Sequence, residues 1–450
     1  MKFAVRQIDL FERDVRLRMP FRFGIVTLTE APQAFARVRI RLENGAEAEG
    51  AAAEMLVPKW FDKNPALSNE DNLDQLRASL ALAKGAYLGG GANTAFGHFQ
   101  SHYREQIERA AGKELNALVA CYGPALIDRA LVAALCRGLG ISFYDAVRRN
   151  VVGLELPAAF LESLKPAGQI AARHTVGLLD PICATEQRIG DGLPETLEEV
   201  IARYGHRWFK LKVGGDVRAD VERLCAIASV LDRLAEYHVT LDGNEQYENV
   251  DGVLALWRRM TAEPRLRRLV ASVVFIEQPI RRHNALGADI SALGKEKPVI
   301  IDESDDTLDA FARAKSLGYR GVSSKTCKGL YKSIVNAARC AEWGQGYFMS
   351  GEDLTVQAGL AVQQDLALVS LLGITHVERN GHHYVNGMAG APAQEQDDFL
   401  RAHPDLYERS HGAVRLKISK GQLALGSLNC TGFASGAMPD WNQMGEMKVK

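Results

Sequence analysis

The sequence has no CxxC pair, no low-complexity linker and no solenoid repeat. Its seven cysteines are scattered and odd in number. That pattern suits reduced thiols in a cytoplasm and excludes a disulfide-stapled secreted scaffold. Neither sign of charge is in excess: 54 basic and 55 acidic residues leave a net charge of −1. Such a balance gives no electrostatic case for nucleic acid or an anionic membrane surface. The opening residues, MKFAVRQIDLFERDVRL, carry charges where a signal peptide needs an apolar run, and no apolar stretch reads as long enough to span a bilayer. The glycine run LGGGANTAFG does not follow a strand, so it reads as a helix–helix loop and not as a phosphate cradle.

What is present is ordinary for a soluble protein: 47% apolar and 24% charged residues in a chain of 450. That length suggests about two or three domains and allows a large core. Residues 1 to about 60 read as antiparallel strands, with a hairpin at Asn44–Gly45. From about 68 to 150 the period is helical, opening with a cap at Ser68. His98 and His102, four apart, read there as a solvated helix face. From about 155 to 385 eight β-rich runs alternate with helical stretches: AAFLES, WFKLKV, HVTLDGN, SVVFIEQP, PVIIDES, GVSSK, GYFMS and ITHVE. Several are continuously apolar, as strands buried on both faces are. This alternation predicts an α/β fold built on a (β/α)8 TIM barrel. The expected divisions are an N-terminal α+β capping domain at 1–150, the catalytic barrel at 151–390, and a C-terminal segment at 391–450 that returns to the cap. Within that last segment AVRLKISKGQLAL reads as a closing hairpin.

The stretch HRWFKLKVGGD poses a problem, because Lys210 and Lys212 share one face of a short strand that Gly214 and Gly215 end. In a strand covered on both sides, two such ammonium groups are expensive to bury. Lys212, Asp242, Glu277, Asp302 and Lys325 each follow an apolar run, at separations of 30, 35, 25 and 23 residues. A barrel repeats about every 31 residues, so these side chains are expected together at the C-terminal mouth, where barrel active sites are built. Three converging carboxylates repel one another unless a cation joins them, and hard oxygen ligands suit Mg²⁺ or Mn²⁺. Lysines beside such a metal are expected to be pushed toward the neutral form and to act as general bases. The constellation reads as proton abstraction α to a carboxylate, through an enediolate steadied by the metal.

In this order and spacing the motifs FKLKVGGD, LDGNEQY, FIEQPI, PVIIDES and SSKTCKG resemble those of the enolase superfamily, in its muconate-lactonizing branch. The helix end GISFYDAVRRN is similar to the one that precedes that family's barrel. The resemblance implies an enolase-type modified barrel. It places Lys212 and Lys325 as opposed acid/bases, with Lys210 tuning Lys212. It places Asp242, Glu277 and Asp302 as Mg²⁺ ligands and Asn244 near the site. It also implies a homo-oligomer acting on a small-molecule carboxylate. Glu352, Asp353, His382 and His383, on the last two barrel loops, are candidates for contacting substrate. So are Arg22 and Trp60, in specificity loops at about 20–31 and 55–63.

Departures from the family pattern narrow the reaction. Gly329–Leu330 stands where a glycine pair is usual, and residues 165–198 look like an insertion before the first barrel helix. The seventh strand end, FMSGEDLT, lacks the histidine of mandelate racemase and sugar-acid dehydratase relatives. The eighth, HVERNGHHYVNG, lacks the D-x-D of dipeptide epimerases. Racemisation, epimerisation or cycloisomerisation of another carboxylate is expected first, and syn-elimination of a hydroxy acid second. A non-catalytic binding relative is the alternative of a different class. The polar residues of the last loops, Glu378 among them, suggest a substrate with hydrogen-bonding groups.

Overall fold

The computed structural model describes residues 1–24, 26–184 and 188–448. Small parts of the expected insertion and of the 20–31 loop fall outside those residues.

The chain opens with a sheet of β1 (Phe3–Phe23), β2 (Val26–Leu42) and β3 (Glu47–Met55), paired antiparallel. The turn at Asn44–Gly45 joins β2 to β3. Against this sheet pack α1 (Asn69–Gly89), α2 (Ala95–Ala111) and α3 (Ala117–Leu139), followed by the short α4 (Phe143–Arg148). Ser68 caps α1 reciprocally: its hydroxyl accepts from the Asp71 N–H at 3.1 Å, and the Asp71 carboxylate accepts from the Ser68 N–H at 2.7 Å. By length and composition α3 could cross a bilayer, contrary to the sequence reading. It is instead the core helix of the cap, buried along its whole apolar window. His98 is buried too, its Nε2 3.0 Å from the Phe3 carbonyl, so the expected wet face is inward there.

AAFLES is not a strand. It forms a short helix, α5 (Ala158–Ser163), which follows Pro157. Its two alanines favour helix, and proline suits a helix start. The first barrel strand is β4 (Gln169–Val176), within what looked like an insertion. The other seven strands are those expected: β5 (Trp208–Lys212), β6 (His238–Asp242), β7 (Val273–Glu277), β8 (Val299–Ile301), β9 (Gly321–Ser324), β10 (Phe348–Gly351) and β11 (His376–Glu378). All eight run parallel, and β11 pairs with β4 to close the ring. The loop after β4 leads to α6 (Leu197–Tyr204).

After the barrel, β12 (Tyr407–Ser410) and β13 (Ala413–Leu416) form a hairpin. The expected AVRLKISKGQLAL hairpin does not form as one unit, because β14 (Gln422–Ala424) lies antiparallel on β4 instead. Finally β15 (Gly445–Glu446) pairs with β1, and Trp441 packs on Phe11 and Phe35 of the cap sheet.

Candidate active site

Strand register lines up the site. Lys212 pairs across to Asp242, and Asp242 to Glu277, so one row at the C-terminal ends of β5, β6 and β7 carries a base and two carboxylates. Asp302 follows β8 and Lys325 follows β9. All five side chains are buried. Deeper in the lumen an aromatic floor closes the barrel, with Trp208 stacked on His376 at 3.9 Å and Phe275 against Phe348 at 5.5 Å. Above it Arg173 of β4 bonds Glu352 and Ser350.

Lys210 sits at the centre of the mouth. Its ammonium lies 2.9 Å from Asp242, 2.8 Å from Glu277, 2.8 Å from Glu352 and 3.1 Å from Glu378. Burial opposes its charge, but these four carboxylates outweigh burial and hold its pKa well above the usual lysine value. Lys210 is therefore a fixed counter-ion first. It touches the same Asp242 oxygen as Lys212, so it is also the like-charged neighbour that the sequence suggested.

The outer lysines each hold one carboxylate. Lys212 Nζ donates to Asp242 at 2.6 Å, and Lys325 Nζ donates to Asp302 at 2.6 Å. Burial opposes the Lys325 ammonium, yet Asp302 keeps its pKa above the ordinary value. That pairing favours the Lys325 ammonium, whereas the sequence expectation of a neutral lysine concerns a site that also holds a metal ion. Lys328 adds a second cation to Asp302, 3.3 Å from Oδ1, a contact that sequence reasoning missed. Aromatic rings from the cap cover both bases: Trp60 stands 4.2 Å from Lys325 Nζ and Phe21 stands 5.9 Å from Lys212 Nζ.

Between these rings and the lysines lies a cavity of about 20 Å³. That is room for about one water molecule. Trp60, Asn244, Asp353 and Glu378 line it, whereas Glu352, His382, His383 and Arg22 do not. Glu352 lies beneath, where burial is outweighed by Arg173 and then Lys210, and its pKa falls to about 2. Arg22 points off the lining, while its neighbours Phe21 and Phe23 point in, as strand alternation requires.

His382, partly buried, and His383, buried, belong to a separate group with the buried His174 and His206, with ring centroids 4.9–6.3 Å apart. His206 Nδ1 is 2.8 Å from the Ala172 carbonyl, and its Nε2 has no partner among the described residues. Burial lowers the His206 pKa to about 4, and burial with Arg18 lowers that of His383 to about 3. The unfolded chain, with histidines near pH 6.5, takes up these protons first, so stability is full above that pH and falls as pH drops toward 4. For His206 alone the loss is about 3 kcal/mol at the lower end. Urea unfolding at about pH 7 and about pH 5 checks this, and equal midpoints would contradict it.

The loop carrying Trp60 is latched to the barrel. Arg282 donates to the Trp60 and Phe61 carbonyls at 2.8 and 2.7 Å, and Glu245 grips the same guanidinium at 2.8 Å. Lys63 bridges Glu245 at 2.5 Å and Glu303 at 3.4 Å. Arg282→Met is expected to raise KM by roughly 10-fold, because closure is part of binding. It should also speed amide exchange over residues 56–63. A variant with unchanged exchange there would show that the latch holds nothing.

The donor chemistry fits a divalent cation at Asp242, Glu277 and Asp302. Glu277 is buried, and the charges of Asp242, Glu352 and Asp302 add to burial in pushing its pKa well up, so the cluster lacks positive charge even with Lys210 present. Glu277 Oε2 is close to Lys210 but makes no well-aligned hydrogen bond. Among the described residues no three ligand side chains already converge on one point. Lys210 stands between Asp242 and Glu277, while Asp302 pairs with Lys325 and Lys328.

Residues 192–415 match the family described as enolase C-terminal domain-like. That match spans the segment from the loop after β4 into β13, which carries all five mouth residues, and over that segment the chain is similar to the enolase family. Three solved structures share the fold over nearly all of both chains. An enolase from Streptomyces coelicolor is 16% identical, with a TM-score of 0.63, over 98% of this chain and 96% of that one. A muconate lactonizing enzyme from Pseudomonas fluorescens, complexed with muconolactone, is 18% identical with a TM-score of 0.61, over 98% of each chain. A 2-chloromuconate cycloisomerase from Rhodococcus opacus 1CP is 18% identical with a TM-score of 0.60, also over 98% of each. No curated protein matches the chain. Enolase-superfamily enzymes typically bind Mg²⁺ and share metal-assisted proton abstraction, which is the coarse reaction class supported here.

Proposed function

We propose that this protein is an Mg²⁺-dependent isomerase that moves the α-proton of a carboxylate substrate. The observation that carries the reading is the placement of Lys212 and Lys325 four strands apart around the eight-strand ring, each on its own carboxylate. One lysine takes the proton from one face and the other returns a proton from the opposite face. Asp242, Glu277 and Asp302 would hold the ion. When bound, it supplies positive charge beside the substrate carboxylate, which stabilises the charge developed at the α-carbon. Asp242 and Asp302, which pair with Lys212 and Lys325, would share their charge with the ion, leaving the two lysine Nζ groups to face the substrate. Racemisation, epimerisation or cycloisomerisation needs nothing further. Elimination ranks lower because no histidine stands at the end of β10 to protonate a leaving hydroxyl.

A screen of carboxylic acids in D₂O, read by mass or NMR for α-deuteration, tests the shared first step. No exchange of any acid with Mg²⁺ present would sink the proposal. The metal is tested separately by thermal unfolding. Mg²⁺ at about 100 times its Kd should add about 2.7 kcal/mol of stability. Asp302→Asn should weaken that binding by about 100-fold, equal to about 2.7 kcal/mol. Equal Mg²⁺ stabilisation of both forms would place the ion elsewhere.

A further inference from the structure

The polar residues around the cavity divide into those already satisfied and those still open. Glu378 accepts from Thr175 Oγ1 at 2.6 Å, Lys210 Nζ at 3.1 Å and the Asp353 N–H at 2.9 Å. Asp353 accepts from the Gly381 and Val356 N–H groups at 2.8 and 3.2 Å. Asn380 Oδ1 accepts from the Thr355 N–H at 3.1 Å. These bonds tie all three groups to the backbone of the barrel loops. The least engaged are Lys212 and Lys325, with one carboxylate each, and Asn244, whose buried Oδ1 has no partner among the described residues. The open polar groups therefore gather at the end where a carboxylate and its α-proton belong.

The opposite wall is apolar. It is formed by Phe21, Phe23, Val57 and Trp60 of the cap, with Leu354 beside them, and all five are buried. The cavity is too small for a substrate while Trp60 and Phe21 lie over the lysines. Admission of any substrate moves that wall outward, and the face it then presents is still phenyl, indole and isopropyl. A hydroxyl or ammonium set against this face gives up water without a partner, at a cost of about 1–3 kcal/mol per hydroxyl. An alkyl or aryl group gains about 25 cal/mol for each Å² it buries there.

We infer that the group borne by the substrate's α-carbon is an apolar one, alkyl or aromatic, seated on Phe21, Phe23, Val57 and Trp60. This differs from the sequence-based expectation of a hydrogen-bonding substrate, which rested on Glu352, Asp353, Glu378, His382 and His383; of these Asp353 and Glu378 line the cavity and the other three do not. The inference rests on the proposed reading of the mouth as a proton-abstraction site, and the test separates the two.

Small carboxylates that differ in the α-substituent are compared with Mg²⁺ present: phenyl and branched alkyl against polyhydroxyalkyl and aminoalkyl. Two readouts are taken, α-deuteration in D₂O and thermal stabilisation of the protein. Apolar acids are expected to exchange and stabilise at least about 100-fold more effectively, the difference that two unpaired hydroxyls produce. Polyhydroxy acids that exchange as well as apolar ones would overturn the inference and leave the proposed chemistry standing. Stabilisation by apolar acids without exchange of any acid would do the reverse. Stabilisation by neither class would overturn the inference as well. Phe23→Gln should raise KM for an apolar acid by about 10-fold with kcat little changed, since it removes binding common to ground and transition states. Val57→Thr, nearly isosteric, guards against misfolding of the first variant and should shift KM in the same direction. Unchanged KM in both folded variants would also overturn the inference.

Discussion

Lys212→Ala and Lys325→Ala should each lower turnover by about 10²- to 10⁴-fold, the scale of a lost general base, while leaving the protein folded. The second half of that expectation comes from the pairing. Removing Lys212 leaves Asp242 still 2.9 Å from Lys210. Removing Lys325 leaves Asp302 with Lys328 at 3.3 Å. Neither change strands a buried carboxylate, so loss of activity can be read as loss of chemistry. Each variant should retain α-proton exchange with one enantiomer only, because the surviving lysine reaches one face. Full turnover in either variant would end the two-base scheme. An unfolded variant, by circular dichroism, would show that the pairing was misjudged.

Lys210→Ala should behave differently, and worse. Its ammonium is the common partner of Asp242, Glu277, Glu352 and Glu378, all buried. Without it Glu277 has no remaining cation among the contacts described. Breaking a buried pair typically costs about 3–5 kcal/mol, and here several pairs share one cation. That is a large part of the roughly 5–15 kcal/mol that holds an average domain folded. A mild effect through the Lys212 pKa, the reading available from sequence alone, is therefore replaced by collapse of the mouth. Chemical denaturation should show a loss of at least about 3 kcal/mol, partly recovered at saturating Mg²⁺. A Lys210→Ala protein as stable as the parent would refute the counter-ion role.

Seven barrel strands were legible because each is an apolar run stopped by a charged residue or a glycine at the mouth. The first was not, because β4 faces the lumen with Arg173 and Thr175 and carries His174, so three of its seven buried positions are polar and break the apolar run. Arg173 bonds Ser350 and Glu352, and Thr175 bonds Glu378, partners about 200 residues away of which local sequence contains no trace. AAFLES failed in the opposite sense: a short apolar run does not distinguish strand from helix. The five mouth residues could be placed from spacing alone. The cap's share could not, although alternation along β1 already favours Phe21 and Phe23 over Arg22 once one of them is known to face inward. The histidines after β11 looked like loop ligands because nothing in the sequence tells that His174 and His206 wait for them beneath the surface.

The pairing of β15 with β1 also governs how the chain can be made. Phe11 and Glu446 lie side by side in the cap sheet, with the whole barrel between them in the chain. At about 5–20 residues per second, ribosomal synthesis leaves β1 without that neighbour for tens of seconds. Throughout that interval the nascent cap carries an open strand edge, the surface most prone to pairing with the wrong chain.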